Sequence, residues 1–155
     1  LGELDPEQTA VYEENEKAYV SLLEELDDEF REVVSSAKRD VLLFGDRFPF
    51  RYMADDYDLK YYAAFAGCSA ETMAGFETVT FLAKKADELQ LPVILTIENS
   101  DGRIAEAVKS NTTKKNQKIL AMNSLQSVTK EQLADGITYL QVMQENLSVL
   151  SEALN

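Results

Sequence analysis

The stretch VLLFGDRFPF, residues 41–50, decides how the rest of the chain reads. Its first four residues are apolar, as in a strand covered on both faces. The run then meets Gly45-Asp46-Arg47, so the sequence predicts a strand over 41–44 that stops at a glycine and an acid. Three other short runs have the same aliphatic, β-branched or aromatic character, at 61–65, 93–97 and 119–122. Each is followed by a polar break and a helical pattern, giving expected helices over 49–57, 72–90, 102–111 and 130–154. Strands alternating with helices pair in parallel through right-handed crossovers. The expected object is an α/β lobe with a doubly wound, four-stranded parallel sheet whose strands are buried on both faces.

Upstream of that stretch the period changes. Asp5-Pro6-Glu7-Gln8 reads as a helix start, with Asp5 as N-cap, Pro6 at the first helical position and Gln8 placed to complete a capping box. Tyr12, Tyr19, Leu22, Leu23, Leu26, Phe30, Val33 and Val34 then recur at three- and four-residue steps as far as Lys38-Arg39. One apolar stripe on a helix of about 30 residues exceeds the usual globular length. The chain therefore divides into a long N-terminal helix, 1–39, that reaches beyond one compact lobe, and the lobe itself, 40–155. At the other end Thr129 and Gln132 form a second capping-box pattern. Leu133, Ile137, Leu140, Met143, Leu147, Leu150 and Leu154 follow along one face. Residues 111–117, NTTKKNQ, are a polar loop, and no internal repeat or low-complexity tract is present.

Composition narrows the chemistry. The 155 residues carry 28 acidic and 15 basic side chains, a net charge of −13, which repels nucleic-acid phosphates. Histidine is absent. That removes the usual general base near neutral pH, the commonest zinc ligand and every triad built on imidazole. Cys68 stands alone, so neither an internal disulfide nor a multi-cysteine zinc site can form. No apolar stretch approaches the roughly 18 residues of a membrane span, and the first residues hold no basic-then-apolar signal. A leader upstream remains compatible with this.

In doubly wound sheets the ligand crevice lies outside the carboxyl ends of the strands. Asp46, residues 68–71, residues 98–101, Asn123 and Ser124 all fall there, so one edge of the lobe gathers acids and a thiol suited to a cation or polar solute. Each also has a purely structural reading. Asp46 suits a helix cap or a partner for Arg47 or Arg51, and Glu71 suits the first turn of a helix whether or not it binds anything. Cys68 suits a small buried apolar position, and Glu98 beside Asn99 and Ser100 suits a turn. Met53, Met73, Met122 and Met143 read as core filler.

These segments together resemble a known family. The leader helix LDPEQTAVYEENEKAYVSLLEELDDEFRE, the Phe-Gly-Asp-Arg-Phe strand end, YYAAFAGCSAET, PVILTIENS and the closing GITYLQVMQENLSVLSEAL are similar to the metal-binding solute-binding lipoproteins of bacterial zinc and manganese ABC transporters. The likeness runs over essentially all of the chain. It implies two α/β lobes joined by one long helix with the metal held between them, of which this chain is the linking helix and the C-terminal lobe. It further implies a divalent metal ion as cargo, a transporter permease as partner, an extracytoplasmic location and an upstream lipid anchor. The sequence departs from the family at both ligand positions usually supplied by this lobe. Gly45 stands where the family places a histidine or glutamate, and Asn123 where it places an aspartate. Glu71 and Glu98 match acids that mostly support the cleft. The candidate metal residues are accordingly Asp46, Glu71, Glu98 and Asn123, and the fragment alone is expected to bind zinc or manganese weakly or not at all.

Rival readings come from other classes. A small α/β enzyme using Asp46 and Glu71 as an acid–base pair lacks a phosphate-binding glycine loop, a nucleophile elbow and a suitable base. A receiver-like signalling module lacks the acid pair after its first strand. A family member that has lost metal binding and acts as an adhesin, or binds another solute, is the alternative that Gly45 and Asn123 favour.

Overall fold

The computed structural model describes residues 1–66 and 74–155 of the chain. Its first strand, β1 (Val41–Phe48), does not stop where the sequence predicts. Its register against β2 (Lys60–Ala66) is regular from Val41↔Lys60 to Phe44↔Ala63, and then Arg47 pairs with Phe65. Three steps on β1 are matched by two on β2, so one extra residue is absorbed at Gly45-Asp46. This is a β-bulge, the feature that a glycine inside a strand often marks. The glycine and acid thus sit within the strand, and Phe48 beyond them is a core residue with 1% exposure.

With β3 (Val93–Ile97) and β4 (Lys118–Met122) the sheet has the order β2-β1-β3-β4, parallel throughout. From β1 the chain crosses to one side, and from β3 to the other. The switch in direction therefore falls between the two central strands. Those strands are apolar and almost wholly buried, as expected. The edge strand β4 is a correction: Lys118 and Ala121 are exposed, and Ile119 and Leu120 only half-buried, because an edge strand has a neighbour on one side alone.

Alternation along the strands sends side chains to two layers. Leu42, Phe44 and Phe48 pack with Leu26 and Phe30 of α1 (Thr9–Ser36), Ala54 of α2 (Arg51–Asp56) and Leu150 and Leu154 of α6 (Tyr139–Leu154). Leu43 and Ile94 face the other layer. There they meet Val79 and Leu82 of α3 (Phe76–Glu88) and Ala105 and Val108 of α4 (Arg103–Asn111). Each fully buried Leu or Phe contributes about 1.5–3 kcal/mol, so the two layers clamp the central strands and fix their carboxyl ends.

Two helix boundaries differ from expectation. Residues Pro6–Gln8 wind as a 3-10 turn, with the Thr9 N–H bonded to the Pro6 carbonyl, which takes Gln8 out of the capping position. Asp5 caps nothing, and its Oδ2 accepts from the Tyr12 hydroxyl at 2.9 Å. Downstream, the single helix expected over 130–154 is two: α5 (Lys130–Ala134) and α6. Gly136, at φ +70°, lets Ile137 N–H reach the Gln132 carbonyl (3.0 Å) and Gly136 N–H the Leu133 carbonyl (3.2 Å). That pair of bonds is the Schellman stop. Thr129 does form its capping box with Gln132, and Thr138 forms another with Gln141. Leu133, on the wrong side of the break, is left exposed.

In α1 the first half of the predicted stripe is only partly covered. Tyr19 and Leu22 are exposed and Tyr12 and Leu23 half-buried, and full burial begins only at Leu26.

Candidate functional site

The bulge brings Asp46 to the carboxyl edge beside the β3–α4 loop, where Gly45, Asp46, Arg47, Phe65, Ser100 and Asp101 are among the residues lining a cleft of about 250 Å³. This is the switch point between β1 and β3, where a doubly wound sheet opens its crevice. Gly45 lines the cleft with backbone alone. A Cβ built on it would lie 2.5 Å from the Ala105 Cα and 2.8 Å from its Cβ. Helix α4 docks on β1 through that missing side chain.

Asp46 is 8% exposed. Its Oδ1 accepts from the Arg47 backbone N–H at 2.8 Å, with the Arg47 Nε 3.8 Å away, and its Oδ2 accepts from the Ser100 hydroxyl. The Gly102 N–H donates in turn to Ser100 Oγ at 3.2 Å, and the Arg103 N–H to Asp101 Oδ1 at 3.0 Å. Gly102 takes φ +68° at the head of α4, a conformation that suits glycine. Of the structural alternatives for Asp46, the pairing with Arg47 is present, and Arg51 instead pairs with Asp55.

Glu98 binds the next loop. Its Oε2 accepts from Ser124 N–H (2.7 Å) and its Oε1 from the Ser124 hydroxyl (2.6 Å). Asn99, at φ +58°, donates from Nδ2 to Ser127 Oγ at 3.0 Å. Asn123 follows β4, and its Oδ1 accepts from Leu125 N–H at 2.9 Å to hold a tight turn. Its backbone is gripped by Asn146 of α6, which accepts from Asn123 N–H (2.7 Å) and donates to the Asn123 carbonyl (2.8 Å). The Asn146 amide thus extends the sheet by one rung. Asn146 was not singled out from the sequence. Its only signal is an amide in the middle of the apolar face of α6, where it is 2% exposed.

The structure therefore places Asp46, Glu98 and Asn123 at one edge but engages each differently. Asp46 lies in the cleft, Glu98 braces a loop, and Asn123 shapes a turn. Cys68 and Glu71 lie outside the described residues. Among the described residues, no three His, Cys, Asp or Glu side chains gather closely enough to hold a metal ion, and no helix is long and apolar enough to cross a membrane.

Comparison with known proteins gives a consistent result. Residues 1–153 match the family model described as ZnuA, zinc-uptake complex component A, periplasmic. The chain is 27% identical over 150 residues to the high-affinity zinc uptake system protein ZnuA of Bacillus subtilis, covering 97% of this chain and 46% of that protein. It superposes on the metal-dependent lipoprotein YcdH from Bacillus subtilis with a TM-score of 0.82 at 27% identity, over 99% of this chain and 56% of that one. The Zn(II)-bound ZnuA-like domain of Streptococcus pneumoniae AdcA matches with a TM-score of 0.77 at 26% identity, over 99% and 55%. The chain thus spans about half the length of the B. subtilis relative. With the parallel sheet, the cleft at its switch point and a match along nearly every residue, the chain belongs to the zinc-uptake complex component A family.

Proposed function

We propose that this chain is the linking helix and C-terminal lobe of the extracytoplasmic solute-binding component of a divalent-metal ABC uptake system, with zinc as cargo and manganese the second candidate. The family match over residues 1–153 carries this reading. The cleft at the carboxyl edge, with the Asp46 and Asp101 carboxylates in its lining, supports it. The work is capture and delivery, and no covalent bond is made or broken. A cation gives up water for fixed ligands at Asp46, with Glu71 the next acid in line and Glu98 and Asn123 shaping the loops beside it. The remaining ligands come from a preceding lobe, and the loaded protein is then received by the transporter permease.

The test is calorimetric titration of the full-length protein with zinc and then manganese, for wild type, Asp46→Ala and Glu71→Ala. The expected result is tight zinc binding that weakens at least tenfold, about 1.4 kcal/mol, in one or both variants. One observation favours a second reading, in which the fold has been kept and the cargo lost to an adhesin role or another solute: Gly45 has no room for a ligand side chain. Absence of heat, and of any melting shift with either metal, would select that reading.

A further inference from the structure

Three consecutive residues after β3 reach in two directions. Glu98 and Asn99 tie to Ser124 and Ser127 of the loop after β4, while Ser100 turns back to Asp46 on β1. The left-handed Asn99, at φ +58°, makes that reversal possible. The Ser100 hydroxyl is itself aimed. Because its oxygen accepts from the Gly102 N–H, its proton is left to point at Asp46 Oδ2.

Asp46 thus holds one fixed donor on each oxygen, the Ser100 hydroxyl on Oδ2 and the Arg47 N–H on Oδ1. Two anchored oxygens hold the side chain in a single orientation. A carboxylate oxygen accepts at two lone pairs, so each keeps one for a cation. The Arg47 side chain lies on the other oxygen, with Nε 3.8 Å from Oδ1. A carboxylate released from Ser100 keeps only its Oδ1 contacts to Arg47, and its Oδ2 is no longer fixed toward the cleft.

We propose that Ser100 is a positioning residue for the cargo: it never touches the cation, and through its bond to Oδ2 it holds the Asp46 carboxylate presented to the cleft. This rests on the zinc reading above. Partners of a ligating group commonly change metal affinity by about 10–100-fold when removed, and that is the size expected here.

The experiment measures zinc affinity of the full-length protein by competition with a chromogenic chelator, for wild type, Ser100→Ala, Ser100→Thr, Asp46→Ala and the double variant. Melting of each metal-free protein is followed alongside. Ser100→Ala is expected to weaken zinc about 10–100-fold with little change in metal-free melting. Ser100→Thr keeps the hydroxyl and restores affinity. In the Asp46→Ala background the Ser100→Ala change adds nothing, because the two act as a unit. Wild-type affinity in Ser100→Ala, or a Ser100 penalty that persists in full without Asp46, overturns the proposal and leaves the zinc reading standing. So does wild-type affinity in Asp46→Ala. A wild-type protein that binds no zinc overturns both.

Discussion

Gly45 shows how differently one residue reads in sequence and in space. In sequence it looks like a lost ligand at a strand end. In the structure it is the point where α4 rests on β1, and any side chain there, alanine or histidine, meets the Ala105 backbone. Gly45→Ala should therefore destabilise the lobe by about 1–3 kcal/mol through overpacking, read as a lower urea midpoint; an unchanged midpoint would mean that α4 yields freely. A second residue-scale prediction concerns Tyr57, whose hydroxyl donates to Asp27 Oδ1 at 2.7 Å. Burial first, and then that bond to Asp27, raise the Tyr57 pKa well above the usual tyrosine value, while the Tyr57 hydroxyl and then Arg31 lower that of Asp27. A raised pKa means that the folded state keeps its proton where the unfolded chain has lost it. The Tyr57 contribution is thus fully present below about pH 10 and fades as pH rises beyond it. Ultraviolet titration should show one of the seven tyrosines ionising after the others, and Tyr57→Phe should remove that late step and flatten the alkaline loss of stability. The Asp27 partner works at the other end. Its contribution holds above the unfolded carboxylate value and declines in acid, weakly because the pair is solvent-screened.

At the scale of elements, the strands were legible because buried parallel strands are continuous apolar runs, and 93–97 was read to the residue. The end of β1 was misread because a bulge and a strand end both present glycine beside a polar residue; only the pairing with β2 separates them. The α5–α6 break was written in the sequence as Gly136 followed by Thr138 and Gln141, and the helical period running through it concealed it. Thr138→Ala should cost about 1 kcal/mol and fray the start of α6 in circular dichroism melts. Among the described residues, Asp46, Glu98 and Asn123 lie at the edge that the topology rule indicates, but their partners were not legible. Ser100 and Asp46 are 54 residues apart, and Asn146 lies on a helix that reads as purely apolar packing. Asn146→Leu leaves the Asn123 N–H and carbonyl without that partner, a cost of about 1–3 kcal/mol for each buried group left unmet. Hydrogen exchange at the amide of residue 123 should accelerate accordingly.

For the whole molecule, the long first helix is the informative element. Its second half is held by Leu26 and Phe30, and its first half has no buried residue. In the 155-residue chain, amides of residues 9–22 should exchange faster than those of 26–36. Equal protection in both halves would mean that helix stability owes nothing to packing. The stripe of Tyr12, Tyr19 and Leu22 was legible as a stripe, and along it Tyr12 is half-buried while Tyr19 and Leu22 are exposed. The geometry of that helix sets a mechanical ratio. From the anchor at Leu26 to Thr9 is about 25 Å at 1.5 Å per residue. A tilt of about 10° at the anchor, small enough to need only side-chain adjustment around Phe30, therefore carries the far end roughly 4 Å. The helix is a lever whose fulcrum lies in the core of the lobe, so a slight repacking around Leu26 and Phe30 becomes a displacement of roughly 4 Å at its far end.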